Sequence, residues 1–252
     1  MAFDHRPLYL LCELKYGLWS GDTPPSNFYG PINITKLETT PIKQEDDELP
    51  SNMASTIGQT LDAVAKPSES GSVAMEFNSM PGDLLSLVIG ATSVGTLTQA
   101  SGAVTDEAVT TVLDVWVPLA NQYISSTGFS LKTSGDVAVS STKYEVDYTD
   151  GMIRALHADA VGTGMKASYT KEATTGETYL AGKAASAYLM LRGKAYEKRS
   201  QTWGRLLVVK ASVSNSAAYD WVKGGWASGT LAGKILTPTG YTSPIIFQKR
   251  NT

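Results

Sequence analysis

Tyr144-Glu145-Val146-Asp147-Tyr148-Thr149-Asp150-Gly151-Met152-Ile153-Arg154-Ala155-Leu156 is the stretch that decides the fold class. Two runs that alternate apolar and polar residues flank an Asp-Gly pair, a strong local signal for a β-hairpin. Asp150 and Gly151 suit the two central turn positions, where positive φ is required. The pattern recurs outward along the chain. Upstream, Leu8–Leu14 reads as a first strand and Ile32–Leu37 alternates. Thr60–Ala65 and Ser72–Phe77 also alternate, and Pro67 and Gly71 between them predict a second hairpin. Val109–Leu119 is β-rich and punctuated by Pro118, and Phe129–Lys132 and Val137–Val139 read as short strands. Met165–Thr170, Ala187–Gly193, Trp203–Val213 and Leu231–Leu236 continue the meander, with no repeat of fixed period.

Helical periodicity is sustained in one place only. Asn78 and Ser79 are capping residues, Pro81 has the φ of a first helical position, and Asp83 favours the positive end of the helix. Leu84, Leu85 and Val88 form an apolar stripe that ends at Gly90. The spacing predicts a short helix over about 80–89, about three turns long, lying across a sheet. Gly95–Asp106 is rich in Gly, Ser and Thr and reads as a flexible connection. Residues 38–59 are poor in large apolar side chains and hold Glu45-Asp46-Asp47-Glu48 between Pro41 and Pro50. Structureless stretches beyond about 12–15 residues are uncommon in compact domains, so 38–59 reads as a long projecting loop.

Composition agrees with a mainly β chain. Its 252 residues are 42% hydrophobic and only 18% charged, which excludes disorder as the main state, and 25 Ser with 27 Thr supply much of the polarity. The length leaves room for one large β domain or two smaller ones, and the chain is read as a single domain over 1–252. Leu84–Ile89 is the longest dense apolar stretch, far short of the ~18–20 residues of a membrane helix, so no membrane insertion is expected. A single cysteine, Cys12, cannot close an internal disulfide and predicts a reducing compartment, with synthesis in the cytoplasm. Net charge is unevenly spread: −4 over residues 1–60, −8 over 61–180 and +9 over 181–252. Three readings stand: a self-complementary particle, a nucleic-acid-binding C-terminal third, or neighbouring strands that neutralise one another.

Signatures of enzyme chemistry are missing from the sequence. His5 and His157 read as surface or turn histidines, and no Gly-x-Ser-x-Gly elbow occurs. Gly176–Lys183 misses the phosphate-loop spacing, and Ala184 stands where Ser or Thr would hold magnesium. Cys12 reads as a buried inert thiol. Cys and His are too few for a zinc site, and a contiguous run such as Glu45–Glu48 reads as a solvated acidic loop rather than a cation site. No catalytic residue, metal or cofactor is expected. Trp203, Trp221 and Trp226 invite a stacking-platform reading, against which stands packing in the core or at a subunit contact.

The order of these features resembles the major tail tube proteins of long-tailed, non-contractile (siphovirus-type) phages. The Met80–Gly90 helix after the Val73–Phe77 strand carries the resemblance. So do the Tyr144–Ile153 hairpin and the Tyr188–Lys194 segment followed by the Leu206–Val213 strand. The match in order runs from about Leu8 to about Phe247. It implies a β-sandwich or barrel-like core flanked by one helix, in a structural virion protein made in the host bacterial cytoplasm. Such proteins self-assemble into hexameric rings stacked head to tail as the tail tube. Implied partners are other copies of the chain, a tape-measure protein, a tail terminator and baseplate or distal tail proteins. Genomic DNA passes through an often acidic lumen without sequence-specific binding, for which Asp62, Glu69, Glu145 and Asp147 are acidic candidates. The resemblance also implies inter-ring contacts from the loop 38–59, with Glu45, Asp46, Asp47 and Glu48, and from a C-terminal arm over about 238–252. Basic interface candidates are Lys194, Lys198, Arg199, Lys249 and Arg250. The alternative is a carbohydrate- or partner-binding β-sandwich module of a phage fibre or bacterial surface appendage, acting through Trp221 and Trp226.

Overall fold

The computed structural model describes residues 10–222 and 224–250. His5 and the first two residues of the expected Leu8–Leu14 strand lie outside them. In chain order the elements are β1 (Leu10–Leu18), β2 (Tyr29–Ile32), β3 (Ile34–Thr40), β4 (Lys43–Pro50), β5 (Thr60–Glu69), β6 (Ser72–Phe77) and α1 (Gly82–Val88). There follow β7 (Val94–Gln99), β8 (Gly102–Thr111), β9 (Trp116–Pro118), β10 (Ser130–Lys132), β11 (Ala138–Val139), β12 (Tyr144–Asp147) and β13 (Met152–Ala155). The last are β14 (Gly162–Lys171), β15 (Thr174–Tyr179), β16 (Ser186–Glu197), β17 (Thr202–Asn215), β18 (Gly229–Leu236) and β19 (Ile245–Gln248). The protein is mainly β, built from antiparallel sheets with one short flanking helix among the described residues.

Contacts divide the chain in two, where the sequence reading expected a single domain. The first unit is Met1–Val94 with Tyr179–Thr252, and the second is Gly95–Thr178. The chain passes out and back through β7 and β15, which pair with each other. Gly95–Asp106, expected as a flexible link, is therefore mostly strand: its small hydroxyl residues form β7 and the start of β8.

In the first unit the long hairpin β16–β17 is the spine. β1 and β2 extend the sheet beyond β16, and β18, β6 and β3 extend it beyond β17, with β19 also pairing β17. The β16–β17 register slips between Leu189 and Leu191: Leu189 faces Ala211, but Leu191 faces Val208. Val209 and Lys210 thus occupy the span of one residue, Met190, as a β-bulge. On one side of the sheet, Leu189, Leu191, Val208, Ala211 and Val213 pack with Tyr16, Phe77 and Leu231 under α1. On the other, Met190, Leu207 and Val209 pack with Trp19.

Backbone groups freed by the bulge are satisfied. The Val209 N–H donates to the Pro244 carbonyl at 2.9 Å, and the Trp19 indole Nε1 donates to the Val209 carbonyl at 2.9 Å. Lys210 is buried; its Nζ donates to the Gly21 carbonyl at 2.9 Å and Asp22 Oδ1 at 3.3 Å, and lies 4.7 Å from the centroids of both Trp19 and Tyr188.

The helix is shorter than expected, seven residues, with Leu84, Leu87 and Val88 buried and Leu85 only half-buried. Pro81 is extended (ψ 154°) and takes the N-cap rather than the first helical position, and no side chain caps the helix. Close seating on β18 depends on Gly229, where an added Cβ would lie 2.6 Å from Val88 Cγ2. The expected hairpin between Thr60–Ala65 and Ser72–Phe77 does not form. β6 buries alternate residues between β3 and β18, whereas β5 is exposed throughout and pairs with β4.

In the second unit, the sheets β11-β10-β14-β8 and β12-β13-β9 share one core that includes Val109, Leu131, Tyr144, Ile153 and Tyr169. The Tyr144–Leu156 hairpin is present as read, but its turn spans four residues. Only Gly151 there has positive φ (+65°), because Asp147 Oδ1 accepts from the Thr149 and Asp150 amides, 3.0 Å each, and organises the turn.

Replacing Lys210 by Met keeps the aliphatic stem and removes the charge, leaving the Gly21 carbonyl and two aromatic faces without their donor. A loss of about 1–3 kcal/mol is expected from the denaturant midpoint at unchanged slope. A loss within about 0.5 kcal/mol, the ordinary range for surface substitutions, would show that the clamp is dispensable.

Candidate functional site

The segment expected as a loop over 38–59 is ordered backbone. It is the end of β3, all of β4 and a structured tip, and with β5 it forms a two-stranded ribbon that continues past the Thr40–Ser72 pair. Every residue of β4 and β5 is exposed. At roughly 3.3 Å per residue, the eight residues of β4 reach about 26 Å. The pattern escapes hydrophobic periodicity because β4 is a contiguous polar and acidic run with no apolar residue before Leu49. Ion pairs tie the strands: Lys43 Nζ to Glu69 at 2.8 Å and Lys66 Nζ to Asp47 at 3.0 Å. Hydrogen bonding from the Lys43 ammonium, with its charge, holds the Glu69 carboxyl below the usual range. Ser51 fastens the tip, its amide donating to the Gln59 carbonyl at 2.8 Å and its hydroxyl 2.6 Å from that of Thr56.

Glu45–Glu48 therefore lie on one strand of this ribbon. Glu45 and Asp47 share a face with Lys66, while Asp46 and Glu48 share the other with Ala65 and Ala63. The ribbon also exposes Ile42, Leu49, Met53, Ile57, Leu61 and Val64. These aliphatics have no core to join.

The basic candidates form two groups close in sequence, Lys194 with Lys198 and Arg199, and Lys249 with Arg250, which the register of β19 on β17 brings toward one another. Lys198 and Arg199 lie in the β16–β17 turn, where Glu197 accepts from the Arg199 amide at 3.2 Å and the Ser200 amide at 2.5 Å. Lys194 lies within β16, not at the tip, with Nζ 5.4 Å from the Trp203 ring centroid. β19 runs antiparallel to β17 with Gln248 opposite Arg205, so Lys249 and Arg250 continue toward that same turn. The expected C-terminal arm over about 238–252 is thus docked on the protein's own sheet through Ile245–Gln248. Ile245 and Ile246 are half-buried there, which explains the docking.

Other candidate residues have local duties or stand apart. Glu145 Oε2 accepts from Arg154 Nη2 at 2.5 Å, and Asp147 organises its turn, while Asp62 and Glu69 lie on the ribbon. His157 caps the 3-10 turn Ala158–Ala160, with Nδ1 accepting from the Asp159 amide at 3.3 Å. Cys12 is exposed on β1 rather than buried, because its stretch of β1 runs beyond the short β2; partial desolvation still pushes its thiol up, away from thiolate reactivity. Trp203, Trp221 and Trp226 do not pack in the core, the last two being 69% and 91% exposed. Among the described residues no group of three or more His, Cys, Asp or Glu is placed to hold a metal ion, and no helix is long and apolar enough to cross a membrane.

A family match spans residues 24–243, which takes in the ribbon, the Tyr144–Leu156 hairpin and the β16–β17 spine. Its description reads Protein of unknown function UCP028589. The chain belongs to that family. No curated protein matches the chain. The UCP028589 match thus takes in the second unit of the fold and part of the first, beginning after β1 and stopping before β19.

Sequence reading missed the Tyr169 site in the core of the second unit. Its hydroxyl donates to Glu107 Oε2 and accepts from Asn121 Nδ2 at 3.0 Å, while Glu107 Oε1 accepts from the Ala120 amide at 2.7 Å. Burial, then the Glu107 hydrogen bond, pushes the Tyr169 phenol up to about 12; in the first unit burial and Asp83 do the same for Tyr16. Both folded values lie above the unfolded one of about 10, so this contribution to stability is complete below pH 10 and lost as pH rises through about 12. Tyrosinate absorbance and far-ultraviolet dichroism, followed together, should show the last tyrosines ionising only as structure is lost. Full ionisation near pH 10 with dichroism intact would contradict this.

Proposed function

We propose that this protein is a structural subunit that self-assembles into stacked rings, forming the tail tube of a long-tailed, non-contractile phage. The observation that carries the reading is the β4–β5 ribbon. A two-stranded hairpin is marginal on its own in water, yet this one is long, holds exposed aliphatics on both strands and has no core to cover it. A second copy is the natural cover. Ribbon and receiving surface are then different patches, so the contact propagates instead of closing as a pair. The rings are hexameric and stack head to tail in the virion. Copies are made in the bacterial cytoplasm and join a tape-measure protein, a tail terminator and baseplate or distal tail proteins. Genomic DNA passes through the lumen without base readout. The role asks for a rigid β scaffold and interfaces, not for catalysis or a cofactor.

Exposed Trp221 and Trp226 favour a second reading, a carbohydrate- or partner-binding module. It requires a discrete particle that loses glycan binding on Trp→Ala substitution.

Sedimentation velocity over a wide concentration range, with negative-stain microscopy of the same samples, separates the two. Expected are larger species as concentration rises, seen as rings or tubes with a central channel. A chain that remains a monomer across salt and temperature, or forms particles without a channel, would overturn the tube reading.

A further inference from the structure

On the side of the sheet away from α1, β1, β16 and β17 line a cleft of about 630 Å³. Its charged residues are Lys15, Arg192, Lys194, Arg205 and Glu13. Register places Lys15 opposite Arg192, and Lys194 opposite both Glu13 and Arg205. Four cations therefore share one concavity with one carboxylate, whose oxygen is 4.0 Å from Lys194 Nζ. Two of the cations also lie over rings: Arg192 is 5.8 Å from the Phe28 centroid and Lys194 5.4 Å from that of Trp203. Arg205 Nε is buried with no acceptor. A buried donor in that state is destabilising, and an entering carboxylate relieves it.

The ribbon offers a matching donor of carboxylates. Asp46 and Glu48 face the same way, with uncharged Ala65 and Ala63 across the ladder; Glu48 accepts only from the Thr60 hydroxyl, at 3.1 Å, among its described partners. Asp47, on the other face, is already engaged by Lys66. Residues two apart on a strand are spaced by about 6.6–6.8 Å on one face. Asp46 and Glu48 on β4 thus repeat at the spacing of Arg192 and Lys194 on β16. We propose that the cleft receives the acidic strand of a second copy, with Asp46 and Glu48 of one copy's ribbon against Arg192, Lys194 and Arg205 of its neighbour. This rests on the self-assembly reading and names the surface that meets the ribbon. Both surfaces are charged, so the contact is steered by electrostatics and weakened by salt.

The test uses full-length chains carrying D46K/E48K or R192E/K194E, compared with wild type by sedimentation velocity. Each reversed chain alone should need about tenfold more protein to assemble, or fail to assemble. An equimolar mixture of the two should assemble near the wild-type concentration, because each reversed ribbon then meets a reversed cleft. That restoration cannot come from misfolded chains. Neutral variants D46N/E48Q and R192Q/K194Q should shift assembly in the same direction while reducing its dependence on salt. If wild type assembles and the variants follow it unchanged, or the mixture restores nothing, the cleft assignment falls and self-assembly stands. If wild type never assembles, both fall. A monomeric wild-type chain that binds double-stranded DNA through Arg192 and Lys194 would give the cleft to phosphates and overturn the proposal.

Discussion

Opposite Met190, Val209 and Lys210 take the place of one residue, and the first unit is arranged around that irregularity. Side chains on a strand alternate between faces, so one extra residue changes which set faces which side. Beyond the bulge, Ala211 and Val213 stay with Leu189 and Val208 under α1, while Val209 and Lys210 both turn toward Trp19. The disrupted ladder is repaired by Pro244 on one side and the Trp19 indole on the other, which fastens the start and the end of the described chain to its spine. The same phase runs on along β16 and β17 toward their turn. There Arg192, Lys194 and Arg205 emerge on the Trp19 side, where the apolar packing gives way to an open, positively charged cleft.

The ribbon obeys the opposite physics. It has a paired backbone with two register shifts, two ion pairs and a tip fastened by buried Ser51, but contributes no residue to any of the three cores. Exposed ion pairs are each worth little, about 0–1 kcal/mol. A long hairpin so built is a poor folding unit and a good docking element. Its strand pairing is already formed, so less ordering cost is due on binding, and its charges set register while its aliphatics supply buried area. The proposed tube follows from that division of labour between a rigid sheet and a ribbon left uncovered.

Legibility in the sequence tracked the alternation of apolar residues. The Tyr144–Leu156 hairpin, β18 and the apolar stripe of α1 announced themselves because burying one face leaves a period of 2 or 3.6, and the β16–β17 pair did so as continuous apolar runs buried on both faces. β4 did not, since Glu45–Glu48 alternate nothing apolar and their pairing is read only from the backbone. The hairpin turn was located but mistyped: Asp147 does by side-chain hydrogen bonds what a second positive φ would have done. Pairing choices between distant strands, such as β6 with β18 rather than with β5, are set by which faces can be buried together. Of the candidate site, the acidic and basic residues were visible as types. The gathering of the basic ones at one end of β16, β17 and β19 was not, because it depends on strand register, including that of β17 with the distant β19. Arg192, Arg205 and Lys15 went unnoticed for the same reason.

Amide hydrogen exchange across residues 43–69, measured at low and at high protein concentration, tests the central claim that the ribbon is built to be covered by another copy. Ribbon amides should exchange quickly in dilute protein and become strongly protected at concentrations where assemblies form, while the β16–β17 amides stay protected throughout. Ribbon amides that exchange at the same rate in assembled and dispersed protein would contradict it.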